Sequence, residues 1–155
     1  MNKLKDVEKA YIAGIIDGEG CISITRSHPP KNRWVAYSCS LYIANTNLEL
    51  LKKIQMITDT AEIKSSLGLS SKSKKCDGMN WKQSYLLRYY SKSIRLLLPE
   101  IKDYLLGKQQ QATYMMEFLT IRRGRGWGSS ISEQDKARRD QIVAEMHKLN
   151  KRGIW

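Results

Sequence analysis

The chain has 155 residues, 41% of them apolar and 27% charged, a composition that folds around a core rather than staying disordered. Lys and Arg number 27 against 15 Asp and Glu, and the formal charge of +12 points to a polyanionic partner, nucleic acid first among them. The apolar runs are too short to span a bilayer, MNKLKDVEK does not open a secretory leader, and the scattered Cys21, Cys39 and Cys76 suit a reducing compartment rather than a disulfide framework or a zinc site.

Residues 6–18 read as a helix, with Asp6 placed to cap it and Val7, Ala10, Tyr11, Gly14 and Ile15 recurring at i, i+3, i+4 spacing. Gly20 breaks the helix, and Ile22 and Ile24 then alternate with Ser23 and Thr25 as in a half-buried strand. The turn HPPKN at 28–32 separates this strand from a second over residues 34–44. Thr46 or Asn47 can cap the next helix, in which Leu48, Leu51, Ile54 and Ile57 share one stripe. A weaker strand is expected over 61–67, an exposed loop in LGLSSKSKKCDG, and a fourth strand over 81–90. Residues 91–106 follow as a helix that Pro99 should end or restart. Residues 108–121 form another, striped with Ala112, Met115, Met116 and Leu119. RRGRGWGSS at 122–130 is a basic, glycine-rich linker, and residues 132–150 form a last helix capped by Ser132, with Ile142, Met146 and Leu149 inward. A single domain over 1–155 is expected, with its core at 7–121, the linker, and a C-terminal helix within 131–150. His28 and His147 are read as surface residues.

The densest chemistry lies in IAGIIDGEG, residues 12–20. Ala10, Gly14 and Gly18 recur every four residues and leave one helix face nearly bare, so a second backbone can approach closely. Asp17 and Glu19 close that helix at its negative end, where acids are unfavourable unless a cation offsets them. Two such carboxylates brought together across a helix pair offer hard oxygen ligands to divalent metal ions.

IAGIIDGEG resembles the LAGLIDADG motif of homing endonucleases, matching it at Ala13, Gly14, Ile16, Asp17 and Gly20, with similar residues at Ile12, Ile15 and Glu19. The order helix, two strands, helix, two strands, helix is also that family's, and a single motif resembles its homodimeric branch. The resemblance implies an α+β fold of αββαββα type, a curved antiparallel sheet with helices on one face, and additional C-terminal helices. It implies a homodimer packed through Ala10, Ala13, Gly14, Asp17 and Gly18, with Glu19 beside Gly18 holding the metal and Asp17 as a structural acid. Lys108 falls where the family has a lysine near the scissile phosphates, Asn47 where it has a polar residue near the active-site water, and Gln111 accompanies them. The cofactor implied is Mg2+ or another divalent ion such as Mn2+, with Ca2+ a non-catalytic substitute.

The sheet's open face is expected to lie on duplex DNA, because alternate strand residues share a face and the major groove admits a β-ribbon. The first strand offers Ser23, Thr25 and Ser27, and the second Ser38, Ser40, Tyr42, Ala44 and Thr46. The third and fourth add Lys64, Ser66, Lys82, Ser84 and Arg88. Arg26, Arg33, Lys72, Lys74 and Lys75 near the hairpin tips, and Arg122, Arg123 and Arg125 in the linker, suit phosphates. The expected activity is site-specific, metal-dependent cutting of both DNA strands by a homodimer, encoded in an intron of a bacterial, phage or organellar genome, without membrane or small-molecule cofactor. The alternatives are a non-catalytic DNA-binding protein or RNA maturase of the same fold, and a basic RNA-binding structural protein.

Overall fold

Helix α1 (Asp6–Glu19) opens the fold of the computed structural model, which describes residues 3–27, 36–70, 82–121 and 131–151. Lys5, not Asp6, is its N-cap, and the Glu8 carboxylate accepts the Lys5 N–H at 2.8 Å. Asp6 already lies in the helix, where its charge favours the positive N-terminal end. The helix gives way at once to strand β1 (Gly20–Ser27). A Cβ at Gly20 would stand 2.7 Å from the Ile16 carbonyl oxygen, so only glycine allows the chain to turn so sharply.

Strand β2 (Ala36–Asn45) runs antiparallel to β1, with Gly20 opposite Ile43 and Ser27 opposite Ala36. Helix α2 (Leu48–Thr60) follows, capped by Asn47, whose side chain accepts the Leu50 N–H at 3.1 Å. Strand β3 (Ser66–Leu69) starts later than the composition suggests. Residues 61–63 instead wrap the end of α2: the Ala61 and Ile63 N–H groups reach the Thr58 carbonyl, and Glu62 takes φ 62°. Ala61 and Ile63 are then buried in the core rather than laid along a strand. Strand β4 (Tyr85–Tyr90) is likewise shorter than expected, so Lys82 and Ser84 precede it and Lys64 precedes β3.

Helix α3 (Ser91–Ile101) runs through Pro99 and ends two residues later, passing into a 3-10 turn at Lys102–Tyr104. Pro99 sits on the exposed side, so its missing N–H opens no hole in the core. Helix α4 (Gln109–Thr120) and helix α5 (Glu133–Asn150) complete the chain. Ser132 caps α5 by accepting the Asp135 N–H at 3.1 Å.

The four strands form one open antiparallel sheet in the order β1-β2-β4-β3. The five helices pack against the sheet, α1 and α3 against its middle strands, α2 under β4 and β3, and α4 and α5 against β1. Between the layers lie Ile12, Ile16, Ile22, Ile24, Leu41, Ile43, Leu87, Tyr89, Leu97 and Met115. Helix α5 seals the β1 edge with Ile142 and Met146, and the Asn150 amide donates to the Ile22 carbonyl at 2.8 Å. This is the expected α+β order. Among the described residues no helix is long and apolar enough to cross a membrane.

Candidate active site and nucleic-acid interface

Helix α1 carries two apolar faces. Ile12, Ala13 and Ile16 are buried in the chain's own core. The stripe from Val7 through Ala10, Tyr11, Gly14 and Gly18 faces outward, with Val7 81% and Tyr11 49% exposed. Ala13 therefore does not belong with the residues expected to meet a partner, because its Cβ is enclosed at 0% exposure. A Cβ added at Gly14 or Gly18 meets nothing within 4 Å. Nothing among the described residues demands glycine at either position.

The two acids that close α1 have different surroundings. Asp17 accepts three successive backbone N–H groups from the turn before α4: Leu106 at 2.7 Å and Gly107 at 3.1 Å on Oδ2, and Lys108 at 2.9 Å on Oδ1. Lys108 Nζ donates to the Ile16 carbonyl at 2.9 Å and to the Asp17 carbonyl. Each helix end thus receives the charge that complements its dipole, a carboxylate at the start of α4 and an ammonium at the end of α1. Glu19 is exposed and makes no hydrogen bond or ion pair among the described residues. Asn47 is committed to its cap, and Gln111 is 7% exposed on the inner side of α4.

The open face of the sheet follows from the register. Ser23 lies opposite Ser40, which lies opposite Tyr90. The next row runs Cys21, Tyr42, Arg88, Ser66, and the next Ala44, Leu86, Gly68. The Ser23 and Ser40 hydroxyls bond each other at 3.0 Å, and Thr25 and Ser27 donate to the Ser38 and Ala36 carbonyls at 3.4 and 3.5 Å. Thr46 follows β2, exposed. Leu86 shares this face, as alternation with Arg88 implies, and so do Cys21 and Tyr90, which strict alternation from Ile22 and Tyr89 would have found.

Arg26 is a correction. It alternates with Ile22 and Ile24, so it projects to the helical side and pairs with Asp140 of α5 at 3.4 Å. Asp140 also accepts the Tyr37 hydroxyl at 2.6 Å. Burial, with that hydrogen bond and the Asp140 charge, pushes the Tyr37 phenol up to about 12. Arg139 stacks over the Tyr37 and Phe118 rings at 5.7 and 5.1 Å and donates to the Ile121 carbonyl at 2.8 Å. Lys64 stands 3.7 Å from Asp59. Arg33, Lys72, Lys74, Lys75, Arg122, Arg123, Arg125, Trp127, Trp155, His28 and Cys76 lie outside the described residues.

Solved structures share this fold. The homing endonuclease I-CvuI, in complex with the I-CreI target, superposes with a TM-score of 0.68 at 16% identity, covering 96% of this chain and 85% of its own. The archaeal intron-encoded homing endonuclease I-Vdi141I, complexed with DNA, gives 0.69 at 18% identity over 96% and 87%. The group I intron-encoded I-CeuI, also complexed with DNA, gives 0.59 at 11% over 92% and 79%. At these identities the likeness is one of fold. No curated protein matches the sequence. The family model described as a LAGLIDADG-like domain matches residues 6–102, more than half of the chain. With the motif at the end of α1 and the αββαββα order around one open sheet, the chain belongs to the LAGLIDADG family.

Proposed function

We propose that two copies of the whole 1–155 unit join through α1 to form a divalent-metal-dependent, site-specific DNA endonuclease, intron-encoded as the named I-Vdi141I and I-CeuI are. The observation that carries this reading is the outward stripe of α1. Glycine in a helix interior costs roughly 1 kcal/mol against alanine, which applies to Gly14 in mid-helix, with Gly18 following in the last turn. The described fold gives no packing return for either, since their surroundings are empty. A second α1 laid against the stripe gives that return and covers Val7 and Tyr11.

A two-fold axis along this stripe sets Glu19 near its twin, because Gly18 and Glu19 end the same helix. Carboxylate oxygens are the donors that Mg2+ and Mn2+ prefer, and Glu19 is the acid of the motif left without a partner among the described residues. In the proposed dimer the Glu19 of the second copy would add its carboxylate to the donor set. When bound there, a divalent cation supplies Lewis-acid chemistry to phosphodiester hydrolysis. Glu19 holds the cation, with the Gly18 backbone beside it. Lys108, with its ammonium fixed at the end of α1, sets positive charge where the phosphate gains negative charge. Asn47 and Gln111 are proposed to support the attacking water from their helix ends. The face bearing Ser23, Ser38, Ser40, Tyr42, Ser66 and Arg88 lies in the groove and reads base edges.

Glu19→Gln tests the reading. It keeps shape and hydrogen-bonding capacity while removing the charge that holds the metal. Sites cut from a randomised duplex pool in Mg2+ supply the substrate. On that duplex, nicking should fall by several orders of magnitude while gel-shift affinity holds or improves, since two crowded carboxylates lose their repulsion. Cutting at the wild-type rate would remove the metal site from the proposal. Binding without any cutting by the wild type would favour the non-catalytic DNA-binding or RNA maturase reading.

A further inference from the structure

The structure departs from a simple reading of Lys108 as a free cation waiting for phosphate. Two of the three N–H bonds of its ammonium go to the Ile16 and Asp17 carbonyls, two of the last four in α1. Its own backbone N–H, with those of Leu106 and Gly107, is held by the Asp17 carboxylate. Residue 17 grips the main chain of residue 108, and the side chain of residue 108 grips the main chain of residue 17. The contacts span 89 to 92 residues of sequence, so this clasp is tertiary and not a local cap.

We propose that Asp17 is a positioning residue for Lys108. The clasp ties the end of α1 to the start of α4 and fixes the ammonium at the Asp17 carbonyl, two residues before Glu19 in the same helix. This inference rests on the endonuclease reading. A lysine on a four-carbon stem loses substantial rotamer freedom when fixed, and a surface cation with no geometric task would stay mobile in solvent. An acid at a helix C-terminus is unfavourable, and Asp17 is tolerated there because the N–H groups that begin α4 compensate it. The effect of a cation on a transition state depends on placement to within about 1 Å, which a clasp from both directions provides.

The test is a double-mutant cycle on cleavage of the selected duplex. Asp17→Asn turns one acceptor into a donor facing an N–H, so the clasp loses at least one bond and its charge. We expect kcat to fall about tenfold, with KM and gel-shift affinity within about twofold, as for an interaction made in the transition state. In a Lys108→Met background the same change should cost less than about twofold, because Asp17 acts through Lys108. Equal losses in both backgrounds would show Asp17 acting independently of Lys108 and would overturn the proposal. So would wild-type kcat in Asp17→Asn. If that variant does not fold, Lys108→Arg serves: a planar fork cannot replace a point cation between two carbonyls, so kcat should fall with KM intact, and wild-type kcat would again overturn it. If the wild type cuts no duplex, the endonuclease reading has failed on its own. Amide exchange at Leu106, Gly107 and Lys108 then judges the clasp: it should quicken in Asp17→Asn and in Lys108→Met, and unchanged exchange rejects it.

Discussion

Tyr37 and Asp140 meet across 103 residues of chain, and their hydrogen bond joins the loop end of the β1–β2 hairpin to α5. The phenol sits beside the Phe118 ring in an edge-on contact at 5.4 Å and is raised to about 12, chiefly by burial and by Asp140. Tyr89, enclosed under the sheet and bonded to Thr58 at 3.3 Å, is also raised to about 12. In both cases the folded state keeps its proton above pH 10, where an unfolded tyrosine gives it up. Their contribution to stability is complete below about pH 10 and is lost as pH rises toward 12. Urea midpoints measured from pH 8 to pH 12 should therefore decline most steeply above pH 10, and Tyr37→Phe should remove part of that decline. A profile of Tyr37→Phe parallel to the wild type would show the phenol to be solvated. Nothing in the sequence marks Tyr37 or Asp140, since a pair so distant is visible only once α5 has docked. The same applies to Asp17. Its acid and the lysine at 108 both stand out as residue types, yet the three N–H groups that join them belong to backbone, which no composition reveals.

Helix α1 shows what periodicity can and cannot decide. The i, i+3, i+4 stripe through Val7, Ala10, Tyr11 and Gly14 is real, but it lines the outer side, while Ile12, Ala13 and Ile16 face the core and Ile15 is half-buried against it. With apolar residues on both sides, the pattern identifies the helix and leaves its orientation open. The remaining helices and strands β1, β2 and β4 are legible because their stripes or alternations are one-sided, whereas β3 has no buried alternation and most of it reads as the start of an exposed loop. Their boundaries are less so: the wrap of 61–63 around Thr58 and the continuation of α3 through Pro99 depend on tertiary contacts. The two faces of α1 give Gly14→Leu opposed effects. Nothing among the described residues blocks a side chain there, so the isolated subunit should keep or gain stability, by roughly 1 kcal/mol from helix propensity. The proposed dimer should separate, because the helices can no longer approach. Sedimentation and thermal melting of the same sample check both halves. A stable Gly14→Leu dimer that cuts both strands would mean that α1 is not the interface.

The charge of the whole molecule is unevenly placed. Residues 28–35, 71–81, 122–130 and 152–155 hold nine Lys and Arg against one Asp, a surplus of eight out of the total +12. The described fold is closer to neutral, and several of its cations are tied to acids, as Arg138 is to Glu117 at 2.6 and 2.8 Å, Lys9 to Glu100 at 3.1 Å, and Arg26 to Asp140. In the proposed complex, attraction for a phosphate backbone would come mainly from residues 28–35, 71–81 and 122–130, while the hydroxyl-rich face of the sheet is suited to discrimination. If the proposed dimer neutralises about ten phosphates, the logarithm of its affinity should fall with the logarithm of salt at a slope near −9. Lys74→Ala removes one such cation from each subunit. The slope should become shallower by about 2, and all duplexes should weaken alike. Arg88→Ala, on the open face between Tyr42 and Ser66, should instead relax base preference at one position of each half-site and leave the slope nearly unchanged. Gel-shift titrations at several salt concentrations, on the selected duplex and on variants at each base pair, separate the two effects. A wild-type slope shallower than about −3 would place the basic surplus off the DNA, and a uniform loss with Arg88→Ala would make that residue a phosphate contact rather than a reader.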